Sequence, residues 1–257
     1  MTSKDNLLVR KRNGRGKETL DIEKIHSMVG FATENITGGS ASHVEINSGI
    51  QFFDGISTED IQQILIKSAN DLISLDAPNY QFVAARLLLF SLRKKLFHKL
   101  WEHPTLLEQI NSCIKLGVYD KDILNKYTTA EIDRLNGFID HERDYSFTYA
   151  GLRQVMEKYL VQDRSNGDIF ETPQFMYMMI AATLFANYPQ ENRITYVKNI
   201  MMQLVNSKSI YQHRLWQVFA LLSVSLLVVF WSIAMIVFLV SLVATWLLGV
   251  MLPNEQA

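Results

Sequence analysis

From Leu215 to Leu252 the chain runs for 38 residues without one Asp, Glu, Lys or Arg, and nothing else in the sequence limits its folding so strongly. A bilayer-spanning helix needs about 20 apolar residues, so this run is long enough for one tilted span with an extension. Its polar side chains are Gln217, Ser223, Ser225, Ser232, Ser241, Thr245 and tryptophan indoles, and neither a proline nor an Asn-Gly turn divides it into a hairpin. A soluble helix of this length would keep a polar face. Residues 211–257 are therefore expected to form an apolar tail, with a candidate transmembrane helix at 215–252. Lys208, His213 and Arg214 precede the run and Glu255 follows it. The positive-inside bias then puts the N-terminus and the charged part in the cytoplasm, associated with the membrane through the tail. The opening MTSKDNLLVRKRNGRG lacks the apolar core of a signal peptide.

The remaining sequence is polar and balanced. Over the whole chain 25 Lys+Arg face 26 Asp+Glu, a net charge of -1, which gives no general attraction to nucleic acid. Any anion site has to come from a few locally placed groups. The single cysteine, Cys113, excludes an intramolecular disulfide and a multi-cysteine metal site.

Hydrophobic spacing predicts a mainly α chain with two small hairpins. Leu7, Leu8 and Val9 form an apolar strand, Asn13-Gly14 is a turn signal, and a return strand is expected near Thr19-Leu20. Asp21 caps a helix bearing Ile22, Ile25, Met28 and Val29. Gly38-Gly39-Ser40 breaks the chain before a helix near 43–51. Ser57 or Thr58 caps the next helix, with Ile61, Ile64, Leu65 and Leu72 at helical spacing. A last helix runs from about 80 to 99, with Phe82, Ala85, Leu89 and Leu92 on one side. Residues 1–100 thus read as one hairpin with four helices. Pro104 opens a second helical region at 101–210, with candidate helices 105–116, 120–126, 129–139, 148–158, 173–187 and 190–206. A second hairpin at 159–170 turns on Asn166-Gly167. The run Asp140 to Asp144 reads as a surface ion-pair cluster, and Phe175 to Met179 as core packing.

The first unit also carries its basic residues at element ends. Lys11 and Arg12 close the first strand, Lys24 follows a helix cap, and Arg93, Lys94 and Lys95 end the fourth helix. Thr58 stands at a helix start, where free N–H groups and the dipole favour an anion. A hairpin laid across these helix ends would gather the groups around a polyphosphate. Glu18 and Asp21 would accept hydrogen bonds from a base or a ribose. The ordinary role of such groups is a solvated surface or dipole compensation.

The run Leu-Leu-Val-Arg-Lys-Arg-Asn-Gly, then Asp21-Ile22-Glu23-Lys24-Ile25, resembles the opening of an ATP-cone domain. Gln51 to Ile61, Asp76 to Arg86 and Leu92 to Lys95 resemble its middle and last helix. The ordered set is similar to the large (alpha) subunit of class I ribonucleoside-diphosphate reductase. The similarity continues through Asp140 to Asp144, Phe147 to Tyr149, Lys158 to Val161, Glu171 to Phe175 and Asn187 to Pro189, and fades near Ile210.

The resemblance implies a regulatory site for ATP or dATP with Mg2+. By motif, Lys11, Glu18, Lys24, Thr58 and Lys94 would contact the nucleotide, Thr19, Leu20, Asp21, Ile22 and Glu23 would line base and ribose, and Arg12, at the end of the first strand, joins the basic groups. Gln62 and Ser91 stand where other members often carry histidines that help to read dATP, so ATP binding with weak dATP inhibition is expected. Replacements of this kind occur in phage-type relatives. The family's radical chemistry needs several cysteines in a ten-stranded barrel, and Cys113 matches none of those motif positions. The resemblance therefore implies an allosteric N-terminal portion, working with a separate chain that supplies the barrel and with a radical-generating beta subunit. The contrasting reading is a membrane-anchored adenine-nucleotide-binding module with no reductase role, and a third is that the tail marks an interrupted gene.

Overall fold

The computed structural model describes residues 7–11, 16–49 and 51–206; Arg12 and the apolar run 215–252 lie outside them. Strand β1 (Leu8–Arg10) pairs antiparallel with β2 (Lys17–Thr19), with Leu8 opposite Thr19, Val9 opposite Glu18 and Arg10 opposite Lys17. The return strand begins earlier than the sequence suggests. Lys11 N–H reaches the Gly16 carbonyl at 3.2 Å, and Gly16 takes a φ of 101° that only glycine adopts without strain. A two-stranded ribbon this short is marginal alone. Here Val9 is buried, and a third segment docks on β1: Gly55 N–H donates to Leu8 O at 2.8 Å and Arg10 N–H to Ile56 O at 2.9 Å. Arg10 and Ser57 thereby pair in parallel.

Four helices follow: α1 (Ile22–Thr33), α2 (Ala41–Gly49), α3 (Thr58–Asp71) and α4 (Tyr80–Phe97). Asp21 caps α1 by accepting from Lys24 N–H at 3.2 Å. Ser57, not Thr58, caps α3, accepting from Asp60 N–H at 3.0 Å. The sequence marks one apolar side on α4, but the structure buries other sides as well: Val83, Ala84, Leu87, Leu88 and Phe90 are covered besides Ala85, Leu89 and Leu92 of the predicted stripe. The reason is position. Helices α1, α3 and α8 (Tyr149–Lys158) all pack on α4, which makes it the centre of the described fold.

The second region contains α5 (Leu106–Lys115), α6 (Ile123–Lys126), α7 (Thr129–Asn136), α8, α9 (Pro173–Leu184) and α10 (Gln190–Asn206), with the hairpin β3 (Gln162–Asp163) and β4 (Asp168–Ile169) between α8 and α9. Thr105 and Thr128 each form a capping box, with Glu108 and Glu131 respectively. Phe175, Met176, Tyr177 and Met178 are buried as core, as their spacing predicts. No helix among the described residues is long and apolar enough to cross a membrane, and the predicted span at 215–252 falls outside them.

One prediction is overturned. The run Asp140 to Asp144 is no surface cluster, apart from the Arg143–Asp140 pair at 3.4 Å. It opens a 3-10 helix (His141–Ser146) that turns Asp144 fully inward and stacks His141 on His103 at 3.9 Å with 10° between the rings. The countercharge that allows this burial is Arg93 of α4, itself 1% exposed and 3.8 Å from Asp144. Burial pushes His103 down to about 4, with help from nearby Arg93. Burial, then His103 and Arg93, push His141 down to about 3.

These depressed histidines stabilise the fold above their ordinary value near 6.5, and that contribution is lost as pH falls through about 4. The histidine contribution to the unfolding free energy is therefore expected to fall between pH 6.5 and 4, while Asp144 and Glu171, pushed up to about 7 by burial, contribute in the opposite sense over that window. Replacing His103 by Phe should reduce the slope over that window by up to about 1.4 kcal/mol per pH unit, the value of one proton. Urea unfolding at stepped pH checks this, and equal slopes for both proteins would contradict it.

Candidate functional site

Hairpin register gathers the charged residues at one end of the first helical unit. Val9 faces the core, so Lys11, two residues on, shares its face, as does Glu18 across the ladder. Lys11 Nζ and Glu18 Oε2 meet at 2.8 Å. Thr19 pairs with the exposed Leu8 and lies on the opposite, outer face. Leu20 continues the inner face, half-buried, with its N–H on Leu7 O at 2.7 Å.

The first turn of α1 adjoins this face. Lys24 Nζ lies 3.2 Å from Asp21 Oδ2, while Ile22 and Glu23 are exposed on the same turn. Lys11 holds the Glu18 carboxyl below its usual range, with Lys24 adding a smaller pull, and Lys24 does the same for Asp21. The four groups therefore share one field. Exposed ion pairs of this kind add little to stability. Both lysines can thus exchange a carboxylate for a phosphate at small cost, and the released carboxylates can accept from hydroxyl or amine donors.

Thr58 and Lys94 come to the same end of the unit through helix geometry. The parallel pairing of Arg10 with Ser57 sets Thr58, half-buried, beside the end of β1. The connection 72–79 folds into turns and cannot span the length of α3, so α4 runs back antiparallel to it. Buried Gln62 fixes their register by donating Nε2–H to Leu87 O at 2.9 Å. Thr58 lies one turn before Gln62. Lys94 lies two turns beyond Leu87, so the start of α3 meets the end of α4. Gln62 is committed to this interhelical bond.

Other candidates are placed elsewhere. Arg93 turns away into the second region, and Lys95 pairs with Asp168 of β4 at 2.7 Å. Arg12 is outside the described residues. Cys113 is buried beside Gln109 and Phe170, and burial pushes its thiol up to about 12, which suits packing and not thiolate chemistry. No group of three metal-ligating side chains exists among the described residues. The Arg93 junction escaped the sequence reading because its partners lie about fifty residues away, and an Arg-Lys-Lys run at a helix end gives no sign of which member is buried.

Two family descriptions match the chain: "ATP cone domain" over residues 7–95 and "Ribonucleotide reductase, all-alpha domain" over residues 145–210. Among curated proteins, the chain is 48% identical over 193 residues to ribonucleoside-diphosphate reductase 1 subunit alpha of Escherichia coli, a match covering 75% of this chain and 25% of that one. It is 45% identical over 192 residues to the alpha subunit of Haemophilus influenzae, covering 75% and 25%. With the alpha subunit of Enterobacteria phage T4 the identity is 41% over 174 residues, covering 67% and 22%. The chain thus spans about a quarter of the length of the relatives it matches.

Proposed function

We propose, for a chain whose first three quarters belong to the alpha-subunit family of ribonucleoside-diphosphate reductases, that its hairpin and helix ends bind ATP or dATP with Mg2+ as an allosteric effector. The observation that supports this most directly is the shared face carrying Lys11, Glu18, Asp21 and Lys24 beside the starts of α1 and α3. In this reading Lys11, Lys24 and Lys94 meet the phosphates, and Thr58 offers its hydroxyl and the α3 start. Glu18 and Asp21 hold base and ribose donors, and Leu20 and Ile22 supply apolar cover. Glu23 lines the rim, while Thr19 acts through its backbone, since its side chain lies on the outer face. Arg12 is retained as the basic residue that follows Lys11 in the sequence.

The effector unit ends near residue 100, and the helical region 101–210 carries its state onward. Ribonucleotide reduction itself requires a catalytic barrel outside these 257 residues and a radical-generating beta subunit, because one buried cysteine cannot serve both as radical site and as dithiol. Gln62, committed to Leu87 O, supports ATP binding with weak or absent dATP inhibition. Isothermal titration of the chain should show both nucleotides binding within about tenfold of each other, a difference of about 1.4 kcal/mol. A chain that binds neither nucleotide at millimolar concentration would end this reading.

The uncharged run at 215–252 favours a second reading, in which the same nucleotide unit is anchored to a bilayer. Membrane fractionation of the expressed chain tests it, and recovery as a non-aggregated soluble protein would count against it.

A further inference from the structure

The last turns of α4 carry two consecutive residues with opposite surroundings. Lys94 is exposed at the nucleotide end, whereas Arg93, roughly 100° around the helix, is buried among residues of the second region. Arg93 Nη1–H donates to Tyr145 Oη at 2.8 Å and Nη2–H to the His141 carbonyl at 2.5 Å, with the guanidinium 4.9 Å from the Tyr145 ring centre. Its buried neighbour Asp144, a carboxyl that burial pushes up to about 7, accepts from Gln174 Nε2–H at 2.8 Å, which extends the network to α9.

The network is unevenly satisfied. Arg93 Nε and Asp144 Oδ2 have no hydrogen-bond partner among the described residues, and Arg93 Nη2 stands 3.8 Å from Asp144 Oδ2. A charge-assisted N–H···O bond closes at about 2.7–2.9 Å. A movement of about 1 Å in the end of α4 would therefore convert one arrangement of the same atoms into another. The Gln62–Leu87 bond pins α4 to α3 two turns earlier, which confines such a movement to the turns bearing Arg93 and Lys94.

We propose that Arg93 is a positioning residue that transmits nucleotide binding at Lys94 to the segment 141–158, by shifting between its present contacts and a closed pair with Asp144. This rests on the adenine-nucleotide reading above. Phosphate drawn to Lys94 pulls on the turn that also bears Arg93. A buried guanidinium cannot relax into water, so the displacement is passed to the 3-10 helix and to α8, which packs on α4. The coupling has a physical carrier in one bistable contact, and by linkage a change at the junction alters nucleotide affinity as well.

The test is hydrogen–deuterium exchange of the full chain in detergent micelles, with and without MgATP. In the wild type, ATP should slow exchange at the hairpin residues 7–11 and 16–24 and change it at least twofold across 141–158. Tyr145→Phe keeps the ring and removes one bond to Arg93, and Arg93→Lys keeps the charge and removes the fork. Both should retain the hairpin response and lose at least half of the response at 141–158. If Arg93→Lys fails to fold, Tyr145→Phe carries the test. Hairpin protection with no change at 141–158 in the wild type would overturn the coupling alone, as would an undiminished distal response in Tyr145→Phe. No ATP response anywhere, including the hairpin, would overturn the nucleotide reading and the coupling with it.

Discussion

Glu131→Ala should lower the stability of the described fold by about 3–5 kcal/mol, the usual cost of removing one partner from a buried ion pair. Glu131 accepts from Arg193 Nε–H at 2.7 Å and Nη2–H at 2.5 Å, and both side chains are almost fully buried. The bond from Arg193 is the main reason the Glu131 carboxyl sits at about 2. The same carboxylate accepts from Thr128 N–H at 2.9 Å, so it closes the cap of α7 and ties α7 to α10 at once. Alanine leaves a guanidinium buried over the Tyr127 ring, 4.4 Å away, with no anion. For a region of about 200 residues this corresponds to a melting temperature lower by roughly 10 °C, readable by calorimetry. Glu108→Ala breaks the same cap motif on α5 without a buried cation, and it should cost much less. Equal losses in the two variants would show that the cap, not the ion pair, accounts for the effect.

Lys94→Glu should weaken ATP binding by about 100-fold or more while leaving the fold intact. A hydrogen bond from a charged donor contributes about 1.5–3 kcal/mol, and the reversed charge adds repulsion against a polyphosphate. Lys94 is exposed, so the substitution exposes no core and creates no cavity. Titration calorimetry gives the affinity and the melting temperature controls for folding. A dissociation constant within threefold of the wild type would remove Lys94 from the site.

How far the sequence reached depends on the range of the interactions concerned. Asp21 and Ser57 act within a few residues, and the starts of α1 and α3 follow directly from them, while the Asn13-Gly14 turn signal lies outside the described residues. Helical periodicity likewise found α8, α9 and α10. The end of β2 near Thr19 was legible, but its start at Lys17 was not, because the loop closes through a backbone bond to Gly16. The burial of α4 on more than one side was hidden too. A central helix needs apolar or paired residues on every side, and Arg93 looks like a surface cation until Asp144 is found opposite it. The motif residues Lys11, Glu18, Asp21 and Lys24 are brought together by the hairpin, but only the register reveals that Thr19 points outward.

The central place of α4 bears on how the chain could be divided. Its covering is shared between the first unit and the helices that come later in the chain, so a cut near residue 100 would strip it on one flank. The Arg93 guanidinium and the side of the Phe90 ring that meets Tyr145 and Trp101 would face water together, an apolar edge with a stranded cation beside it. The first helical unit and the segment behind it are thus two halves of a single seam, each finishing the other's interior.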